Sequence, residues 1–299
     1  MKKFLSLRWM PCCLLVFIIA ATPAYAVETR AETSQLGDSL YLFRYGSQQS
    51  IFLVGSDGVI VTDPLSKIAA REYRAAIADV TDKPVSHVVY SSSFFDRVPG
   101  GQVFEAEGAE FIAQEKCQSN LAATPHPDAI VPGRTYTDHE SVSAGDVSLE
   151  LHHFGQSYGT CLSVMIAKPA NIMFVHALVT PPVAKVPQDP TIANYYLHNL
   201  LPFFVYVEEL AASEEVTHVV GSSLEEGGAP LAPVSLITEQ RVFWDTLLRI
   251  VEVEYNNGTP ARMIPKKADM TALAGYAGYD PRHIEIMMRR IYSLYRIGR

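Results

Sequence analysis

The sequence predicts an α/β protein with two sheets and helices outside them. Three observations lead there: a run of short β-rich segments, a strand–helix alternation after it, and further strands followed by helical segments. Neither an internal repeat nor a low-complexity tract interrupts this order.

Residues 1–26 read as a leader. Lys2, Lys3 and Arg8 accompany an apolar stretch over 9–21, and Ala24-Tyr25-Ala26 supplies the small residues a signal peptidase reads. Val27 is then the mature start, and the chain is expected to be exported, either periplasmic or secreted. The stretch is shorter than the roughly 20 residues of a membrane span, a retained anchor being the alternative. Farther along, the sequence holds no segment with the length and apolarity of a transmembrane helix, so no stable span is expected after cleavage. Losing the leader leaves 21 Lys and Arg against 32 Asp and Glu, a net charge of −11. Such a surface repels phosphate backbones, which excludes nucleic acid as a partner. Cys117 and Cys161 remain. In an oxidising compartment they can pair, and two buried thiols are the alternative.

Strands are expected over 39–45, 50–54 and 58–62, separated by Gly46-Ser47-Gln48-Gln49 and Ser56-Asp57-Gly58, both good hairpin chemistry. A helix over 66–80 follows, with Ile68, Ala69, Tyr73, Ala76, Ile77 and Val80 at helical spacing. Next come a strand over 87–90, a short helix opened by Gly100-Gly101, and a strand over 110–113. Residues 125–138 read as loop. Strands over 147–153, 162–166 and 171–175 precede a linker over 181–190. An aromatic-rich helix over 200–212 has Pro202 in its first turn, and a strand over 217–221 follows it. That helix is expected to pack on the sheet, an apolar lip or a dimer surface being the other option. Two helices close the chain. One runs over 235–255 and stops at Asn256-Asn257-Gly258. The other starts from Asp280 as N-cap and Pro281 as first helical residue, with Ile284, Met287, Met288, Ile291 and Tyr295 on one face.

Several of these segments carry a likeness. Gly58-Val59-Ile60-Val61-Thr62-Asp63, Thr81-Asp82-Lys83-Pro84-Val85, then Asp96, Val98, Gly100 and Gly101, Phe111-Ile112-Ala113-Gln114-Glu115, His153-Phe154-Gly155 and Gly221 together resemble the metallo-β-lactamase superfamily. The similarity is to its exported lactonase- or lactamase-like members and covers about residues 37–225. It implies a four-layer αββα sandwich over 27–230, with residues 231–299 as additional helices packed on it. It also implies hydrolysis by one or two zinc ions that generate hydroxide and polarise a carbonyl.

The family pattern is His-x-His-x-Asp-His, then a His, a bridging Asp and a final His. Carried over position by position, it falls on Ser92, Phe94, Asp96 and Arg97, then Tyr158, Ala177 and Ser222. Only Asp96 keeps a usual ligand. Phe94 and Ala177 offer no lone pair, and the Arg97 guanidinium repels a cation. About three protein ligands hold a catalytic zinc, so the expectation is no metal and no other cofactor. Asp63 matches the acid that braces the metal loop in the family.

Two readings of Arg97 stay open. It binds an anionic or carbonyl ligand in place of the metal, or it pairs with Asp96 and fills the site. His176, beside the bridging position, is expected on the opposite face of its strand. Gly155-Gln156-Ser157-Tyr158-Gly159 fits Gly-x-Ser-x-Gly, but that elbow needs a following helix, and a strand is expected there. Ser157 nevertheless remains the nucleophile candidate, with Asp96 and Tyr158 in acid–base roles, for a metal-independent hydrolase of an ester, lactone or lactam. The favoured expectation is a non-catalytic binding or accessory protein that uses the cleft. A structural or assembly partner in the cell envelope is the third, and a protein partner or homo-oligomer stays open.

Overall fold

The computed structural model describes residues 30–178, 191–224, 228–276 and 281–298. The leader, the 181–190 linker and the Asp280 cap lie outside the described residues.

The first sheet has seven strands in chain order: β1 (Ala31–Gln35), β2 (Leu40–Tyr45), β3 (Gln48–Val54), β4 (Val59–Thr62), β5 (Val85–Val89), β6 (Glu110–Gln114) and β7 (Arg134–Tyr136). Its first four strands form an antiparallel meander. The rest run parallel, and α1 (Lys67–Val80), α2 (Gln102–Glu105) and α3 (Glu115–Ala123) make the crossovers. The second sheet has the order β13-β12-β11-β10-β9-β8. Its strands are β8 (His139–Ser143), β9 (Ser148–His152), β10 (Val164–Lys168), β11 (Ile172–Val175), β12 (His218–Gly221) and β13 (Ala232–Pro233). Helices α4 (Leu197–Ser213), α5 (Ser235–Asn256), α6 (Ile264–Lys267) and α7 (Pro281–Ile297) belong to this half.

Strand alternation produces the layers, because successive side chains face opposite sides. Leu40, Leu42, Ile51 and Leu53 meet Leu149, Leu151, Met165 and Phe174 between the sheets. Phe43, Phe52, Val59 and Val61 pack outward against Ala69, Tyr73 and Ile77 of α1. Val164, Ile166, Met173 and Val175 pack outward against Phe204, Trp244 and Met288 of α4, α5 and α7. The result is a four-layer αββα sandwich with additional C-terminal helices.

Some expectations need correction. Tyr45 pairs with Gln48, so the hairpin turn is Gly46-Ser47 alone, with Gly46 at φ 62°. Gln48 and Gln49 belong to β3, where the buried Gln49 amide donates to the Gly221 carbonyl at 2.9 Å. In α1 the buried stripe is Ala69, Ala70, Tyr73 and Ile77, and Ile68 stands 63% exposed one position off it. The Ser66 hydroxyl caps this helix by accepting from the Ala69 amide. β7 lies inside the expected 125–138 loop. Like β1 and β8 it shows few buried positions, so no apolar run announces it. Helix α4 starts three residues earlier than expected, which leaves Pro202 inside it rather than in its first turn. The missing amide frees the carbonyl of His198, an exposed residue, for solvent.

Candidate functional site

Three loops at one end of the two sheets build the site. The first follows β4, where Asp63 and Leu65 take φ values of 31° and 73°. This geometry buries the Asp63 carboxylate, which accepts from the Ser91 amide at 2.8 Å and the Ser91 hydroxyl at 2.6 Å. Burial pushes its pKa up to about 6 against the opposing pull of Arg97 and of the Ser91 bonds.

The second loop, 91–98, follows β5. It is anchored through Asn120 of α3, whose amide donates to the hydroxyls of Ser93 and Thr160. Beside it a disulfide joins Cys117 of α3 to Cys161, with Cα atoms 5.3 Å apart. Arg97 is the main feature of this loop. Its side chain is 1% exposed; Nη1 donates to the Gln49 carbonyl and Nη2 to the Ser222 carbonyl, both at 3.0 Å. Asp96 turns outward with its side chain 58% exposed, and its Oδ2 lies 3.7 Å from Arg97 Nε, too far for a hydrogen bond. Of the two sequence readings, the arrangement agrees with the second: Arg97 fills the space and forms an ion pair with Asp96, and carbonyls from both sheets add the two hydrogen bonds that hold it. Burial lowers its basicity, and Asp63, followed by Asp96 and Tyr158, opposes that effect.

The third group lies at the ends of β11 and β12. His176 is buried, and its Nδ1 sits 2.7 Å from the Ser222 hydroxyl; that hydroxyl oxygen accepts from the Ala177 amide at 3.2 Å. This corrects the expected orientation. Strand alternation ends at Val175, and Ala177 takes φ 65°, so the chain turns and brings His176 into the site. The His176 ring lies 6.0 Å from Phe94 and 5.4 Å from Tyr158, and Phe94 and Tyr158 are 5.0 Å apart. Gly159, at φ 65°, packs so closely on Phe94 that an added Cβ would come within 2.9 Å of the ring. Burial, and then Arg97, holds the His176 pKa well below its ordinary value, so the ring is neutral at pH 7.

The structure therefore brings Phe94, Arg97, Tyr158, Ala177 and Ser222 together, joined by His176, and leaves Asp96 at the edge. Ser92 is buried on the same loop, and its hydroxyl has no hydrogen-bond partner among the described residues. The same holds for Arg97 Nε, His176 Nε2 and the buried Ser157 hydroxyl. No helix follows the Gly155–Gly159 segment, which leads through bends into β10. Instead the Ser157 carbonyl accepts from the Tyr196 amide, at the start of α4. Gln49 and His176 are the site residues that sequence reasoning missed. A glutamine within an apolar strand was a usable signal for the first, whereas the positive φ of Ala177 left none for the second.

Zinc does not fit this donor set. Among the described residues no three His, Cys, Asp or Glu side chains converge. The nearby imidazole and hydroxyls adjoin a fixed guanidinium, which opposes a second cation.

Asp63 and His176, both buried, give opposite pH dependences. Asp63 has a raised pKa, so its contribution to stability is present below pH 3.8 and lost as the pH rises through about 6. That shift corresponds to about 3 kcal/mol. His176 has a lowered pKa, so its contribution is present above pH 6.5 and lost as the pH falls. Urea unfolding from pH 4 to 7 is expected to show wild type losing stability relative to Asp63→Asn as the pH rises. Parallel curves for the two proteins would refute the assignment.

Comparison with known proteins places this geometry. No family model and no curated protein matches the chain. Solved structures do. A metallo-beta-lactamase from Pontibacter korlensis is 16% identical with a TM-score of 0.63, over 72% of this chain and 99% of that one. The metallo-beta-lactamase IND-7 is 15% identical with a TM-score of 0.61, over 73% and 99%. The DIM-1 metallo-beta-lactamase is 11% identical with a TM-score of 0.61, over 73% and 98%. At these identities the likeness establishes the fold, which is that of the metallo-β-lactamases.

Proposed function

We propose that this metallo-β-lactamase-fold chain is an exported, non-catalytic binding protein. The group Phe94, Arg97, Tyr158 and His176 holds a small ligand through its carbonyl or carboxylate oxygens. The observation that carries this reading is the set of buried polar atoms left without partners: Arg97 Nε, His176 Nε2 and the Ser92 hydroxyl. Buried polar groups nearly always find a hydrogen-bond partner, and an acceptor oxygen suits the N–H of a guanidinium and of a neutral imidazole.

Catalysis by the Ser222–His176 pair is the competing reading, because 2.7 Å is nucleophile–base spacing. Two features count against it. Burial and Arg97 make His176 a weak base, and the Ala177 amide already occupies a lone pair of the Ser222 hydroxyl.

The test combines metal analysis with a substrate and ligand screen on the mature chain. Zinc well below one equivalent is expected after dialysis against the metal, with no turnover of lactones or β-lactams. Small carbonyl or carboxylate compounds are expected to bind saturably, and His176→Ala to weaken them. Stoichiometric zinc, or hydrolysis that is lost in Asp96→Ala or Ser222→Ala, would overturn the proposal.

A further inference from the structure

A cavity of about 200 Å³ lies between the turn that leads into α4 and the inner side of α7. Arg97, His176 and Ser222 do not line it, although Gly159 and Tyr195 do and also touch the site, Gly159 packing on Phe94 and the Tyr195 ring lying 5.3 Å from that of Tyr158. Leu197 and Leu294 give it an apolar wall, and Tyr196, His198 and Arg290 give it a polar one.

Arg290 is the informative residue. Arg44, Arg74, Arg97, Arg134, Arg241, Arg249 and Arg289 each have a carboxylate within 4.0 Å, and Arg30, Arg71, Arg262 and Arg296, which show none among the described residues, stand exposed. Arg290 is half-buried, lines the cavity, and has neither an ion pair nor a hydrogen bond among the described residues. A half-buried guanidinium with no partner among the described residues, beside leucine side chains, matches a ligand with one planar anionic group and an apolar body. A cavity of 150 Å³ admits benzene, so this one has room for a six-membered ring with a carboxylate. One guanidinium in a chain of net charge −8 favours a singly charged anion over a phosphate dianion.

We propose that this cavity is a binding site for a small monocarboxylate. The carboxylate lies on Arg290, and the ring or short chain lies against Leu197 and Leu294. The site is independent of the ligand proposed above for the group around Arg97, and Arg290 has no part in that group.

Calorimetric titration of the full chain with benzoate, benzamide and inorganic phosphate tests it. Benzoate is expected to bind saturably at one site and benzamide about ten- to a hundred-fold more weakly. Arg290→Gln is expected to weaken benzoate by the same factor, and Arg290→Lys by less. Absence of saturable benzoate binding overturns the proposal, as does equal affinity for benzamide or for phosphate, or unchanged benzoate affinity in Arg290→Gln. Should that variant fold poorly, the benzoate–benzamide comparison in His176→Ala, where the site around Arg97 is weakened, decides instead. Benzoate binding that survives Arg290→Gln but is lost in His176→Ala would assign the ligand to the site around Arg97 and overturn the proposal.

Discussion

Arg97→Met is expected to lower the free energy of unfolding by about 3–5 kcal/mol, the usual cost of removing one partner from a buried charge network. Methionine roughly fills the volume but donates nothing. The Gln49 carbonyl loses its bond from Nη1, the Ser222 carbonyl loses its bond from Nη2, and both lie at the junction of the two sheets. Asp63 loses the neighbouring charge that most restrains its upward shift, so burying its carboxylate becomes costlier at neutral pH. Urea unfolding followed by far-ultraviolet circular dichroism measures the effect. The double variant Arg97→Met with Asp63→Asn is expected to recover part of the loss, because no unpaired carboxylate then remains buried. A loss below about 1 kcal/mol in the single variant would mean that solvent reaches the carbonyls and that the cation is dispensable.

Removing the disulfide has an expected effect of similar size through the other state of the chain. Cys117 and Cys161 are 44 residues apart, and the loop they close runs from α3 of the first half into the second sheet. Confining a loop of that length in the unfolded chain is worth about 4 kcal/mol in the loop-entropy account. The double variant Cys117→Ala with Cys161→Ala should therefore unfold at correspondingly lower urea, and reduced wild type should match it. Equal midpoints for the oxidised and reduced wild type would show that the cross-link contributes nothing. Both sulfurs pack in the apolar layer beneath α1 and α3, so alanine leaves a small void there and adds modestly to the loss.

The sequence made most of the architecture legible, because burial writes period and punctuation into it. The 39–62 strands, the helix over 66–80 and α5 stopping at Asn257 and Gly258 all follow from alternation, helical spacing and turn residues. β1 and β8 lacked that signal, since they are polar edge strands with few buried positions, each paired only with the next strand in the chain. At the site, the carry-over of family positions led to residues that do meet in space. What the sequence could not supply was the direction of two side chains. Asp96 does pair with Arg97 as its neighbour, but nothing in the sequence signals that main-chain carbonyls 48 and 125 residues away hydrogen-bond the guanidinium. His176 was assigned by strand parity, and parity fails at the first residue past a strand end.

The guanidinium that ties Gln49 to Ser222 also sets the order in which this scaffold can be redesigned. An engineer who placed imidazoles at positions 92, 94 and 158 would find the new ligands facing a resident positive charge. An engineer who excised that charge first would be left with a weakened scaffold and no metal yet to restore it. Either single-step route descends before it climbs, so a zinc centre could be grafted here only by exchanging the ligands and the inter-sheet clasp together.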